Sequence, residues 1–484
     1  MIVALLAVLL QALPDAAERA EWDKVRALLR EGADATAAQA DGTTALHWAA
    51  QHDQAEIAGR LLKAGAKVGA ANRFGVTPLS LACVNGGDLV AALLDAGADP
   101  QAPLPGGESP LMTASRTGRP GPVKALLAKG ATVDAADAKG QTALLWACAD
   151  GHAAVAGLLL QAGANAKGRL KSGFTPLLVA ARNGKLDVVR LLLQAGVDPN
   201  EAIESKGRAR GMARNGTSAL LLAIENGHFE LAVALVDAGA DANDLRSGDG
   251  PLHVLTWVRK PHRGDGEDGM PAPQGSGKLT SLEFVREIVK RGADVNLALP
   301  KGASSAGHIA AEGATPFLMA ARRADVPYMK LLVELGADPA RPNKDGCTPL
   351  MTAAGLGTLA PTEEAGTEEE SIDAVTFLLS KGADVNTVDK NGETAMHGAA
   401  YKSLPKMVRL LADRGATIET WNRKNRHGWT PILIAEGFRP GNFKPSVETL
   451  GALHQVMREA GLTPPPPTPR PDPASQRKGY DDKK

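Results

Sequence analysis

Apolar residues in this chain fall in short helical blocks separated by polar turns. In one block Val155, Leu158 and Leu159 recur at three- and four-residue spacing, which places them on one face of a helix. Gly151 precedes this block and Gly163 closes it. A shorter block, Ala143-Leu-Leu-Trp-Ala-Cys-Ala149, ends just before Gly151, so the pattern predicts two short helices joined by a tight turn. The pair returns along almost the whole chain. Its first helix begins at Thr44, Thr77, Ser109, Thr142, Thr175, Ser218, Gly250, Thr315, Thr348, Thr394 and Thr430. Most of these starts lie about 33 residues apart, the period of a stacking unit rather than of a domain.

The residues between blocks explain how each unit starts and stops. Asp137 to Gly140 is turn chemistry, with Gly140 free to take positive φ at the tip. Thr142 then caps a helix, and in sister units the next residue is Pro78, Pro110, Pro176, Pro349 or Pro431, where a missing N–H costs nothing. Gly163 supplies a left-handed C-terminal residue. Two helices this short cannot hide their apolar faces alone, so each unit must bury them against its neighbours.

Thr44-Ala-Leu-His47-Trp-Ala-Ala50 and Thr394-Ala-Met-His397-Gly-Ala-Ala400 show the helix motif most fully. Gly97-Ala-Asp99, Gly239-Ala-Asp241, Gly292-Ala-Asp-Val-Asn296, Gly336-Ala-Asp338 and Gly382-Ala-Asp-Val-Asn386 show the closing turn. These segments resemble the ankyrin repeat, and the resemblance covers residues 13 to 462. It implies an all-α solenoid of about 12 units with short β-hairpin tips, two antiparallel helices per unit, and protein binding on a concave face of tips and first helices. The first unit, Leu13 to Asp34, lacks a full first helix in this reading and serves as a cap. The last keeps its second helix as Ser446 to Ala460.

Departures from the period mark insertions. Residues 201–213 lengthen one tip and carry Lys206, Arg208 and Arg210. Residues 260–277, rich in Gly and Pro, separate the first helix of a unit from the second, and Thr280-Ser-Leu-Glu283 is a capping box that restarts the second. Residues 297–312 lengthen another tip. Residues 356–366 again separate a first helix from its second, with Thr367-Glu-Glu-Glu370 as another capping box. Tip loops are placed to reach a ligand on the concave side, whereas loops between helices are expected on the opposite edge. The tail, residues 463–484, is polyproline-prone and too poor in apolar residues to pack, so disorder is expected there.

The opening run, Met1 to Leu10, has the length of a signal-peptide apolar region and is too short to span a bilayer as a helix. Residues 1–12 as a signal peptide imply export to the periplasm or beyond; no Lys or Arg precedes the run, so an apolar first helix capping a cytoplasmic stack stays open. High Ala and Gly content together with the leader suggests a bacterial protein. No other stretch reaches membrane-span length. Lys and Arg number 54 against 54 Asp and Glu, so no global field recruits nucleic acid. Cys83, Cys148 and Cys347 lie in different units and form neither a disulfide framework nor a metal pattern.

Candidate chemistry is sparse. Gly264-Asp-Gly-Glu-Asp-Gly269 matches a phosphate-loop pattern by letters, but no strand precedes it and its carboxylates would repel a phosphate. His47, His253 and His397 occupy the fourth motif position, where a ring ties one turn to its neighbour by hydrogen bonds. Trp48 and Trp146 occupy the fifth and are read as core. No metal, cofactor or catalytic residues are expected, and the reading is a non-enzymatic, monomeric binding scaffold. Projecting the family's contact columns onto this sequence names Arg73, Phe74, Arg116, Lys139, Lys171, Phe174, Arg182, Trp257, Arg322, Arg323, Tyr401, Arg426 and Trp429 as partner contacts. Arg and aromatic residues dominate interface energetics, and the basic lean of the set suggests a protein partner with an acidic face.

Overall fold

The computed structural model describes residues 12–85, 88–205, 214–262, 271–300, 309–439 and 444–469. The opening run, residues 206–213 and 301–308 of the two long tips, the acidic run 264–269 and the tail beyond 469 lie outside them. The chain divides into two compact units, residues 1–223 with 237–240, and residues 224–236 with 241–484.

In the first unit the helices Ala45–Gln51, Pro78–Asn85, Pro110–Thr117, Ala143–Asp150 and Pro176–Arg182 pack each on the next. Behind them run Trp22–Arg30, Ala55–Lys63, Asp88–Asp95, Pro120–Ala128, Ala153–Gln161 and Leu186–Gln194. Leu46, Leu79, Leu111, Leu144 and Leu177 are buried in turn, so the core is one repeating layer. The second unit repeats the plan with Pro251–Arg259, Pro316–Arg322, Pro349–Ala353, Ala395–Lys402 and Pro431–Ala435. The expected caps are formed: Thr142, Thr175, Thr315 and Thr430 accept from the backbone N–H three residues on. Both capping boxes close, with Thr280 N donating to Glu283 Oε2 at 2.9 Å and Thr367 N to Glu370 Oε2 at 2.9 Å. The first motif unit has a short first helix of its own, residues 12–18, where the sequence pattern leads one to expect a cap without a full one. The last second helix is Val447–Glu459.

The tips are tight turns rather than extended strands, and among the described residues only two isolated bridges occur, Ala38 with Thr44 and Ala202 with Ser218. At most tips a backbone bond closes the base, as from Asn72 N to Val76 O at 3.0 Å. Tip is tied to tip by Arg73 N to Asp41 O, Ala138 N to Gly106 O and, in the second unit, Lys390 N to Asp345 O and Arg426 N to Asn391 O. The lengthened tips keep the same closure: Ile203 N donates to Thr217 O and Leu299 N to Ala314 O.

A second ladder runs along the closing turns. Asn243 Nδ2 donates to Gly292 O at 2.8 Å while its Oδ1 accepts from Asp294 N, and Asn296 and Asn386 repeat the arrangement further along the chain. One side chain thus satisfies two backbone groups of the next turn, a fixed geometry that resists slippage between units. The three motif histidines act as expected: His47 Nε2 donates to Val76 O, His253 to Ala314 O and His397 to Arg423 O. Burial pushes His253 and His397 down to about 4, so both rings are neutral at physiological pH.

Candidate interaction surface

The residue just before each capping Thr or Ser and the residue eight positions later face each other across the inner end of a repeat. Glu108 and Arg116 lie 3.7 Å apart, Arg182 Cζ stands 5.7 Å from the Phe174 ring centre, and Tyr401 Oη donates to Glu393 Oε1 at 3.0 Å. This pairing defines a column that advances by one repeat at a time. Its surroundings differ between the two units.

In the first unit the column is open. Of its helix-end members Gln51, Val84, Arg116 and Arg182 are exposed and Ala149 is half-buried, and Arg73, Lys139 and Lys171 on the tips are exposed. Arg73 Cζ lies 4.7 Å from the Phe74 ring and Arg116 Cζ 5.2 Å from the Trp146 ring of the next repeat. A guanidinium laid on a ring is held in place while its N–H groups, which lie in its own plane, stay directed outward. Trp146 is therefore half-buried support for a surface cation rather than a core residue only. Phe174 is almost covered by Arg182 and contributes an edge.

In the second unit the chain covers its own column. Leu356 and Ile309, from the insertions at 356–366 and 297–312, pack with Cys347, Met351, Ala400, Tyr401, Ile434 and Trp429. A side chain at Gly357 would collide with Ile309, so the two insertions touch. Arg322 Nη2 donates to Gly357 O at 3.1 Å and stands 3.8 Å from Glu364. Lys402 Nζ, buried, donates to Ala365 O at 2.9 Å and Ser371 Oγ at 3.2 Å. Burial pulls Lys402 down to about 8 against the opposing pull of Glu364 and Glu370. Beneath lies Glu393, raised to about 7 by burial and by Asp389, although Tyr401 and Asn425 both donate to its Oε1. Arg259, half-buried, and Asp325, buried, form a bidentate pair at 2.7 and 3.0 Å alongside.

Models of the ankyrin repeat match residues 13–103, 111–203 and 365–450, and a single-repeat model matches 215–246. These spans cover more than half of the chain. It belongs to the ankyrin repeat family. Among curated relatives it is 34% identical over 129 residues to the mouse B-cell lymphoma 3 protein homolog, which covers 26% of this chain and 25% of that protein. The human SH3 and multiple ankyrin repeat domains protein 2 matches at 29% over 172 residues, 31% of this chain and 9% of that one. The human ankyrin repeat and SOCS box protein 6 matches at 31% over 191 residues, 37% and 40%. The chain thus spans less than half the length of each, and the likeness is confined to repeats.

Placed on this ankyrin stack, the thirteen predicted contacts separate. Arg73, Phe74, Arg116, Lys139, Lys171, Phe174 and Arg182 come together on the open column. Tyr401 is a correction: it is 1% exposed and hydrogen-bonded inside, so it offers no surface. Arg322 and Arg323 are a second, because the chain itself occupies them. Arg323 Nη1 donates to Lys260 O, and burial with the Arg322 charge pulls it down to about 10. Trp257 is half-buried; Trp429 is half-buried, stacked on His427 at 4.9 Å. Arg426 is exposed but donates to Asn391 Oδ1 at 2.8 Å. Sequence reasoning placed loops between helices on the far edge and missed that 356–366 folds back over the column. The available signal was an apolar residue in each polar insertion, Leu356 and Ile309. Among the described residues no group of three or more His, Cys, Asp and Glu is placed to hold a metal, and no helix is long and apolar enough to cross a membrane.

Proposed function

We propose that this ankyrin repeat protein is a monomeric, non-enzymatic scaffold that binds a protein partner with an acidic face on the open column of its first unit. Repeats of this family and their relatives support a protein-interaction role. The observation that carries the choice of face is its exposure: Arg116 and Arg182, stacked on aromatic rings of neighbouring positions, remain exposed, while the corresponding residues of the second unit are spent inside the fold. A rigid surface of this kind loses little entropy on binding, so modest contacts over several repeats sum to useful affinity. The test is affinity capture from the source organism with the protein and with the triple variant Arg73→Glu, Arg116→Glu, Arg182→Glu. A protein retained by the first and lost by the second, with unchanged circular dichroism, supports the reading; equal retention by both sinks it.

The opening apolar run supports a bacterial protein exported to the periplasm or beyond, the compartment in which such a partner would be met. Fusion of residues 1–30 to a reporter active only outside the cytoplasm decides this, since an inactive fusion places the partner inside the cell.

A further inference from the structure

Resting on that reading, we infer that the partner presents an extended segment in which an aliphatic residue stands beside a run of carboxylates. Two sets of observations lead there. The first is the chain's own occupant of the second column, which shows what chemistry this kind of surface holds. Segment 356–366 inserts Leu356 against Met351 and Tyr401, offers the Gly357 and Ala365 carbonyls to Arg322 and Lys402, and brings Glu364 to Arg322. It is short, carries no helix of its own, and combines a buried leucine, Leu356, with the half-buried Leu359 and the carboxylate of Glu364.

The second is the composition of the open column. Phe74 and Val84, both on the repeat whose first helix begins at Thr77, are 55% and 44% exposed, large apolar groups left in solvent at one end of the run. Arg116, Lys139, Lys171 and Arg182 follow on the next three repeats. Of the acids nearby, Asp41 is engaged with Thr43, Asp137 accepts from Lys139 N and Gln141 N, and Glu108 accepts from Thr113 and stands 3.7 Å from Arg116. Asp150 is a further acid on this stretch. With Arg73 the column carries five cations against the four carboxylates Asp41, Glu108, Asp137 and Asp150, a positive excess adjoining an apolar end. The orientation follows: the aliphatic residue of the partner meets Phe74 and Val84, and its carboxylates run along Arg116 to Arg182. Charge-assisted bonds to stacked guanidinium groups supply the specificity.

The probe is a fluorescent peptide copying residues 356–370, Leu-Gly-Thr-Leu-Ala-Pro-Thr-Glu-Glu-Ala-Gly-Thr-Glu-Glu-Glu, titrated into the full chain and followed by anisotropy. Binding should weaken about tenfold when all five Glu of the peptide become Gln, and about as much in the double variant Arg116→Glu, Arg182→Glu. Phe74→Ser with Val84→Ser should weaken it severalfold, with the same loss when the two peptide leucines become Ser. All four protein positions are exposed, so these variants test binding without threatening the core. Absence of binding, or affinity unchanged by charge reversal, overturns the inference; the latter would mean the peptide displaces its own copy in the second unit. If capture of a protein partner still depends on Arg116 and Arg182 while the peptide fails, the scaffold reading stands and only the partner's chemistry falls.

Discussion

The first unit and the second are built from one motif, yet the residue eight positions after the one preceding the cap is mostly exposed in the first and half-buried or buried in the second. Arg182 and Tyr401 occupy the same place in their repeats. Arg182 lies on Phe174 at the surface; Tyr401 is enclosed by Leu356, Ala400, Ile434 and the carboxylate of Glu393. The difference comes from two insertions, not from the repeats. Once Leu356 and Ile309 cover the column, any charge beneath them must find partners inside, and Glu393, Lys402 and Arg322 all have, while Arg323 is met by Lys260 O. Lengthening two loops therefore leaves one column open and covers the other.

The comparison is broken most sharply by truncating equivalent positions. Tyr401→Ala should destabilise the second unit by about 3–5 kcal/mol, because it leaves a cavity and strands Glu393 and Asn425. Arg182→Ala, at the same repeat position, should cost less than about 1 kcal/mol. Hydrogen exchange resolved by peptide checks both, and equal effects would mean the two columns are not differently covered.

Next in size is a pH effect confined to the second unit. Glu393 has a folded value of about 7 against an ordinary value of 4.5, so the stability it contributes is full below about 4.5 and is lost as pH rises through about 7. Glu393→Gln removes that dependence. The variant should gain about 1–3 kcal/mol over the parent between pH 4.5 and 8 in urea denaturation, and a constant difference across that range would contradict the assignment.

Two glycine substitutions should act with opposite sign. Gly398→Ala puts a methyl 2.6 Å from Leu356 N, so the covering segment must shift and stability should fall by about 1–3 kcal/mol. Gly59→Ala, inside Ala55–Lys63 with nothing within 4 Å, should raise the stability of the first unit by about 0.5–1 kcal/mol. Thermal melts of the two variants, side by side, give the signs directly.

Much of this was legible beforehand. Period, caps, histidine ties and both capping boxes all rest on contacts within a repeat or to the next, and such contacts leave a local signature. The closing-turn asparagines were visible as residues, but their bridging role depends on the neighbouring unit. What misled was the contact column. Projection treats every repeat as equivalent, so it selected Tyr401, Arg322 and Arg323 on the same grounds as Arg116 and Arg182.

By itself the sequence determined the repeat, because each unit hides its apolar face only by stacking, and stacking requires the same few residues at the same spacing every time. Only the tertiary structure decided which surface remained available. Leu356 and Ile309 are 47 positions apart along the chain, and nothing in either loop states that the two close over the same column. Burial is a property of what lies opposite, and that is settled by the folded neighbours of a residue, not by its place in a motif.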